Sequence, residues 1–197
     1  ESMTKQNNKV EYGLENVHWA TITEAEDGKI TYGTPEPLPG ANKLELEPKG
    51  ETMTFNADNT EYFGGETNLG YTGTATFAKL TESFLMKVLG EVLEEDGTVS
   101  EISNAVTSRF ALMFQFEGDK LQTRHVLYYC KASRPKGGSQ TKGSDVNTVE
   151  LEFSATPRPI DKRVKNRTTK DTTDEVYNNW FKSVHEPAAK VENPGGR

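Results

Sequence analysis

The chain has a single cysteine, Cys130, and therefore no intramolecular disulfide. Apolar residues make up only 33% of it, and mean hydropathy is −0.74. No apolar run approaches the roughly 20 residues that span a bilayer as a helix, so no membrane insertion is expected. The start of the chain lacks the apolar segment of a signal peptide. Glu1-Ser2 ahead of Met3 reads as a cloning scar, with the natural start at Met3. A protein made and folded in cytosol is expected, and there the Asn166-Arg167-Thr168 sequon has no meaning. The length of 197 residues fits one domain with a buried core.

Catalytic signatures are equally sparse. The histidines, His18, His125 and His185, are isolated from one another, and no H-x-x-x-H or C-x-x-C occurs. There is no G-x-S-x-G and no G-x-G-x-x-G. Glu94-Glu95-Asp96-Gly97 lacks the spacing of a calcium loop and reads as a solvated acidic turn. Cys130 lies in an apolar run, which predicts a buried, inert thiol. His18 and His125 fall in predicted strands, where partial burial is the usual outcome. Nothing argues for an enzyme, a cofactor or a metal.

Charge is present in quantity and unevenly placed. The net charge is −7. Glu11 to Glu101 carries 18 Asp/Glu against 5 Lys/Arg, whereas Ile102 to Lys170 carries 6 against 13. Such a split suits nucleic-acid binding by the basic part, or head-to-tail contact between copies. The net negative sign favours the second.

The organising stretch is Glu51 to Gly90. Met53 and Phe55 alternate with Thr52 and Thr54 as a half-buried strand. Tyr71, Gly73, Ala75 and Phe77 alternate with three threonines as a second strand. Between them, Asn56 to Asn68 reads as a polar projecting loop. It carries Tyr62 and Phe63 either outward to another molecule or back onto its own domain. A short helix follows, with Thr81 as N-cap, Glu82 near the N-terminal dipole and Gly90 past its end. Phe84, Leu85, Val88 and Leu89 form its apolar stripe.

Ahead of this stretch, Asn16 to Thr23 and Ile30 to Tyr32 read as a hairpin around Glu26-Asp27-Gly28-Lys29. Pro35, Pro37 and Pro39 exclude a central strand. Ala41 to Glu47 alternates, with Leu44 and Leu46 inward, and Pro48-Lys49-Gly50 reads as a turn. After it, Ser108 to Phe116 and Leu121 to Lys131 flank a Gly118-Asp119 turn. Phe110, Leu112, Phe114 and Phe116 share one face. Ser133 to Val146 reads as a mobile Gly-rich hairpin loop bearing Arg134, Lys136 and Lys142. Asn147 to Ala155 is the clearest strand. Lys162 to Lys170 reads as a charge-protected edge or a phosphate-contacting strip. Asp174 is the expected cap of a last helix bearing Val176, Tyr177, Trp180, Phe181 and Val184, which Pro187 stops. Eight to ten strands and two helices predict a mainly β protein, an antiparallel sandwich or barrel with helical flanks.

The order of several short motifs resembles the major tail proteins, of the phi-thirteen type, of long-tailed phages of Gram-positive bacteria. They are Gly13-Leu14-Glu15-Asn16-Val17 with Thr31-Tyr32-Gly33-Thr34-Pro35, Phe55-Asn56-Ala57-Asp58-Asn59, Gly70-Tyr71-Thr72-Gly73, Phe84 through Glu91, Asp96-Gly97 and Trp180-Phe181. The resemblance spans Tyr12 to Val184. It implies a non-enzymatic virion protein, a tail-tube subunit of a non-contractile (siphovirus or prophage) tail. Such subunits form stacked six-membered rings through which DNA leaves the virion. It further implies assembly in the host cytoplasm and contacts with tape-measure, terminator and baseplate proteins. DNA passing through the channel would be touched without specificity. The expected layout is a flexible segment over 1–10, one tail-tube β domain over 11–186 and a loose tail over 187–197. Candidate subunit-interface residues are Asn56, Asp58, Asn59, Tyr62 and Phe63 in the excursion, with Arg134, Lys136 and Lys142 in the Gly-rich loop. The competing expectation is a monomeric β-sandwich that binds carbohydrate or another surface ligand in an aromatic-lined cleft.

Overall fold

The computed structural model describes residues 13–57, 60–137 and 147–188, with 52–66 and 137 described by backbone alone. The chain is mainly β, antiparallel, with two short helices. Among the described residues twelve strands form: β1 (Leu14–Glu24), β2 (Ile30–Tyr32), β3 (Glu36–Pro37), β4 (Ala41–Ala57), β5 (Thr60–Phe77), β6 (Val92–Leu93), β7 (Val99–Ser100), β8 (Arg109–Phe116), β9 (Arg124–Ala132), β10 (Lys136–Gly137), β11 (Val149–Ala155) and β12 (Lys165–Arg167). The helices are α1 (Glu82–Lys87) and α2 (Asp174–Asn179).

Ten of the strands make one sheet, ordered β2-β1-β8-β9-β11-β5-β4, with β3 on β1, β12 on β9 and β10 on β11. The sheet curls until β1 lies against β4 without ladder bonds between them. The expectation of a sandwich or barrel therefore resolves toward a curled, barrel-like sheet. The small β6–β7 pair stands apart from it.

The concave face holds the main core: Trp19, Phe77, Phe84, Phe110, Leu112, Phe114, Leu151 and Phe153 among others. Phe84 packs edge-on against both Trp19 and Phe110, at ring-centroid distances of 5.2 and 5.4 Å. Such aromatic pairs add about 0.5–1.5 kcal/mol each beyond area burial. α1 supplies Phe84 because its start is fixed. Thr81 Oγ1 accepts from the Phe84 amide, Glu82 sits in the first turn, and Gly90 takes φ +80° just past its end.

The other face of the sheet is also covered. Ala20, Ala111, Met113, Val126 and Tyr128 meet Trp180 and Val184, from α2 and the turns that follow it. β8 is thus buried on both faces, not the single face that its phenylalanine spacing suggests. The cap of α2 is Thr173, whose hydroxyl accepts from the Val176 amide; Asp174, the predicted cap, is one residue inside.

Other expectations are corrected by pairing. Asn56 to Asn68 is not a loop: the described part of it is strand, paired through Phe55↔Phe63 and Asn56↔Glu61. Pro48-Lys49-Gly50 is not a turn but the middle of β4. Pro48 is tolerated because β4 is an edge strand. Opposite Lys49 and Gly50 the register shifts, leaving Leu69 as the extra residue of a bulge. Gly70 there has φ +100°. β9 begins at Arg124, since Gly118 (φ +81°) and the Asp119 carboxylate, which accepts from the Leu121 and Thr123 amides, hold the preceding residues in a turn. Of Ser133 to Val146, predicted as a mobile loop, Lys136–Gly137 is strand, and 138–146 lie outside the described residues. The predicted proline-punctuated segment contributes only the two-residue β3, at the edge beyond β1.

Candidate functional site

The strands share two ends. At one, β1 and β9 finish, β8 and β11 start, and the β4–β5 hairpin has its base; it is called the upper end below. At the other, the lower end, β11 stops pairing with β5 at Ala155↔Tyr71, opposite Pro48. The hairpin continues from there with no partner but itself among the described residues. Lys49 to Ala57 adds about 25–30 Å of paired strand at roughly 3.3 Å per residue. This arm begins where Gly70 lets the backbone of β5 pass Ala155: a Cβ on Gly70 would stand 1.9 Å from the Ala155 carbonyl oxygen.

The predicted interface residues separate between the two ends. The backbones of Asn56, Tyr62 and Phe63 lie in the distal arm. Asp58, Asn59 and Lys142 lie outside the described residues. Arg134 and Lys136 sit at the upper end and are engaged within the chain. Arg134 Nε is 3.0 Å from Glu101, and Lys136 Nζ is 2.7 Å from Glu152. Glu152 raises the Lys136 pKa through that bond. Among the described residues, Arg134 and Lys136 thus stand at the opposite end from Asn56, Tyr62 and Phe63.

No catalytic constellation assembles among the described residues. Cys130 is fully buried, and burial pushes its thiol pKa well up. His125 stacks on Phe114 at 5.2 Å and 8°. Burial, then Lys165 and Arg167, push its pKa down to about 4. His18 stacks on Phe181 at 4.9 Å, and its Nδ1 is 2.8 Å from the Asn16 carbonyl. No group of three His, Cys, Asp or Glu that could hold a metal is found among the described residues. The acidic turn is capped by itself: Asp96 accepts from the Thr98 amide and hydroxyl, which lowers its pKa.

One buried ionic cluster was not visible in the sequence. Arg158 is 3% exposed. Its Nε and Nη2 donate to the two oxygens of Asp161, both at 2.7 Å. Its Nη1 donates to the Tyr32 hydroxyl at 3.2 Å and reaches Glu186 at 2.9 Å. The guanidinium lies over the Tyr128 ring at 4.5 Å. The Arg158 bonds hold the Asp161 pKa down at about 2, and burial pushes Tyr32 up to about 12. Tyr128 in turn donates to the His185 carbonyl at 2.8 Å. The cluster fastens the segment after α2 to the sheet. Its one sequence signal was Asp161 three residues after an arginine set between Pro157 and Pro159.

Depressions on the described surface are shallow. One of about 190 Å³ is lined by Glu175, Val176, Asn179, Trp180, Ser183 and His185. Trp180 is 2% exposed and stacks on His185, so it offers no open ring. Another, of about 510 Å³, lies between the Pro39-Gly40 turn and the start of α1 and has no aromatic lining.

No protein-family model and no curated protein matches this sequence. Among solved structures, the chain is similar to a component of the tube-terminating cap of the anti-feeding prophage. That likeness has 8% identity and a TM-score of 0.46, over 86% of this chain and 99% of the other. It is similar to a component of the extended sheath–tube complex of the PVC extracellular contractile injection system, at 8% identity and a TM-score of 0.47, over 85% and 99%. It is similar too to a component of the sheath/tube terminator of that system, at 9% and 0.45, over 78% and 94%. All three likenesses are remote.

Proposed function

We propose that this chain is a structural, non-enzymatic subunit of a phage-type tail, a major tail-tube protein that builds stacked six-membered rings around a DNA channel. The observation that carries the reading is the arm. A long hairpin leaves the curled sheet at Gly70 and runs on with only its own two strands paired. A two-stranded ribbon alone is marginal in water, so an arm of this length calls for another surface to lie on. The ordered motifs that resemble major tail proteins support the same reading. The arm carries Asn56, Tyr62 and Phe63 among its described residues.

A monomeric ligand-binding module would need an aromatic-lined cleft, and the depressions described above offer no open aromatic ring. The test is electron microscopy of the purified protein at rising concentration. Rings and tubes of uniform diameter are the expected result. A monomer at every concentration would overturn the proposal.

A further inference from the structure

Residues 88–108 form an acidic and apolar excursion at the upper end of the sheet. Ser108 donates its amide to the Val88 carbonyl, and Glu101 meets Arg134 just past β9. No Lys or Arg occurs between Lys87 and Arg109. The β6–β7 ladder pairs Leu93 with Val99, and both are exposed. Val92, Ile102 and Val106 are exposed as well, Val106 at 81%. Glu91, Glu94 and Glu95 meet no cation among the described residues. Clustered exposed apolar residues with a polar rim mark contact surfaces.

The opposite charge gathers at the lower end. β12 pairs with the first half of β9, through Lys165↔Leu127 and Arg167↔His125. Lys162, Arg167 and Lys170 are exposed and pair with no carboxylate among the described residues, and Lys165 lies over the Tyr71 ring. Ile160 beside them is 57% exposed. β8 enters the sheet at Arg109, next to the acidic excursion, and reaches the β12 end at Gln115. Measured along β8 from Arg109, the strip begins level with Leu112, at about 10 Å, and Arg167 stands level with Phe114, at roughly 16 Å.

We propose that the β6–β7 excursion of one copy docks on the Ile160–Lys170 strip of a second copy. The two surfaces are complementary in charge; the excursion carries several exposed apolar residues and the strip carries Ile160. The excursion stands at the start of β8 and the Arg167 end of the strip lies toward its finish, on separate surfaces, so the contact is head-to-tail and repeats. The proposal rests on the tail-subunit reading and adds the contact surface to it.

The test uses two charge-reversed full chains, E94K/E95K and K162E/R167E/K170E, in sedimentation velocity. Neither set touches a core residue. Each variant alone is expected to need at least about tenfold more protein to associate, since several exposed pairs are lost together. An equimolar mixture is expected to recover association, because each variant then meets its opposite on the other. As a second variant that leaves charge unchanged, L93S/V106S is expected to weaken association even at about 1 M salt, where charge is screened. If the wild type forms tubes and the single variants form them equally well, or the mixture gives no rescue, this contact is overturned while the tail reading stands. A wild type that stays monomeric overturns both. Duplex DNA binding by the monomer, lost in K162E/R167E/K170E with association unchanged, overturns the contact in favour of a nucleic-acid surface.

Discussion

The two halves of the β4–β5 hairpin share one continuous ladder and have different surroundings. The basal half, Ala41–Pro48 with Tyr71–Phe77, is gripped by β11, and its inward residues Leu44, Leu46, Ala75 and Phe77 belong to the core. The distal half pairs only with itself among the described residues. Backbone hydrogen bonds are satisfied in both, yet net hydrogen-bond stabilisation is small because water competes for the same groups. Burial is what holds the basal half. In the proposed tail subunit, the distal half would draw on a neighbouring copy. The proposal thus assigns folding to one half and contact to the other.

Breaking the basal half should cost most. Phe77 is 1% exposed, sits in the main core and pairs with both Ala41 and Val149. Phe77→Ala is expected to lower stability by about 3–5 kcal/mol, measured by urea unfolding. A loss under about 1 kcal/mol would show that the core does not depend on this strand.

The junction comes next. Gly70→Ala places a Cβ against the Ala155 carbonyl in a backbone conformation that L-residues rarely adopt. Strain of this kind costs on the order of 1–3 kcal/mol. The same change should re-aim the arm, so assembly is expected to suffer more than the melting temperature does. Equal behaviour of Gly70→Ala and wild type in both measurements would mean that the bulge does not set the arm's direction.

A smaller contrast is in pH. His125 lies in the body near the lower end, stacked on Phe114 and edge-on to Phe116, with Lys165 and Arg167 opposing its protonation and Asp119 favouring it. It stays neutral in the folded chain down to about pH 4, whereas the unfolded chain protonates it near 6.5. Between these values the unfolded state takes up a proton that the folded state refuses. The His125 contribution to stability is therefore level above pH 6.5 and falls as pH drops toward 4. His125→Phe, which keeps a ring against Phe114, should flatten the melting temperature over that window. An unchanged slope would assign the acid sensitivity elsewhere.

The same contrast explains what the sequence reveals. β11 was legible because one face is buried and the other wet, so Leu151, Phe153 and Ala155 alternate with exposed neighbours. α1 was legible from its cap, its stripe and Gly90. β8 was half legible. Its phenylalanines announced one face, but Ala111 and Met113 are covered by Trp180 and Val184, some 70 residues later in the chain. The first strand of the arm was legible in the alternation of Thr52 to Phe55, but Asn56 to Asn68 was misread as a loop. Gly64-Gly65 and the polar residues around it left no period to detect. Arg158 was invisible because its partners Tyr32, Asp161 and Glu186 converge only in three dimensions. Of the candidate interface residues, Arg134 and Lys136 were read as part of a mobile loop, whereas Lys136 lies in β10 and both have carboxylate partners within the chain that the sequence did not show.

The smallest expected effect on stability comes from removing the arm. Thr52 and Glu66 face each other in the ladder. Replacing residues 53–65 by Asn-Gly therefore closes the hairpin with a two-residue turn of the favoured twist. The ladder bonds removed were made within the arm, and the chain freed from ordering offsets part of their loss. The β11 contacts, the bulge at Leu69 and the core are untouched. A change in unfolding free energy within about 1 kcal/mol is expected, with a cooperative transition and an unchanged near-ultraviolet spectrum. Assembly should respond in the opposite sense. If the arm lies on a neighbouring subunit, the shortened chain stays monomeric at concentrations where the wild type forms tubes. A well-folded shortened chain that still forms tubes of normal length would remove the arm from the interface and leave the two charged ends of the sheet to account for assembly. A shortened chain that unfolds would instead place the distal half within the folding unit and erase the distinction between the two halves.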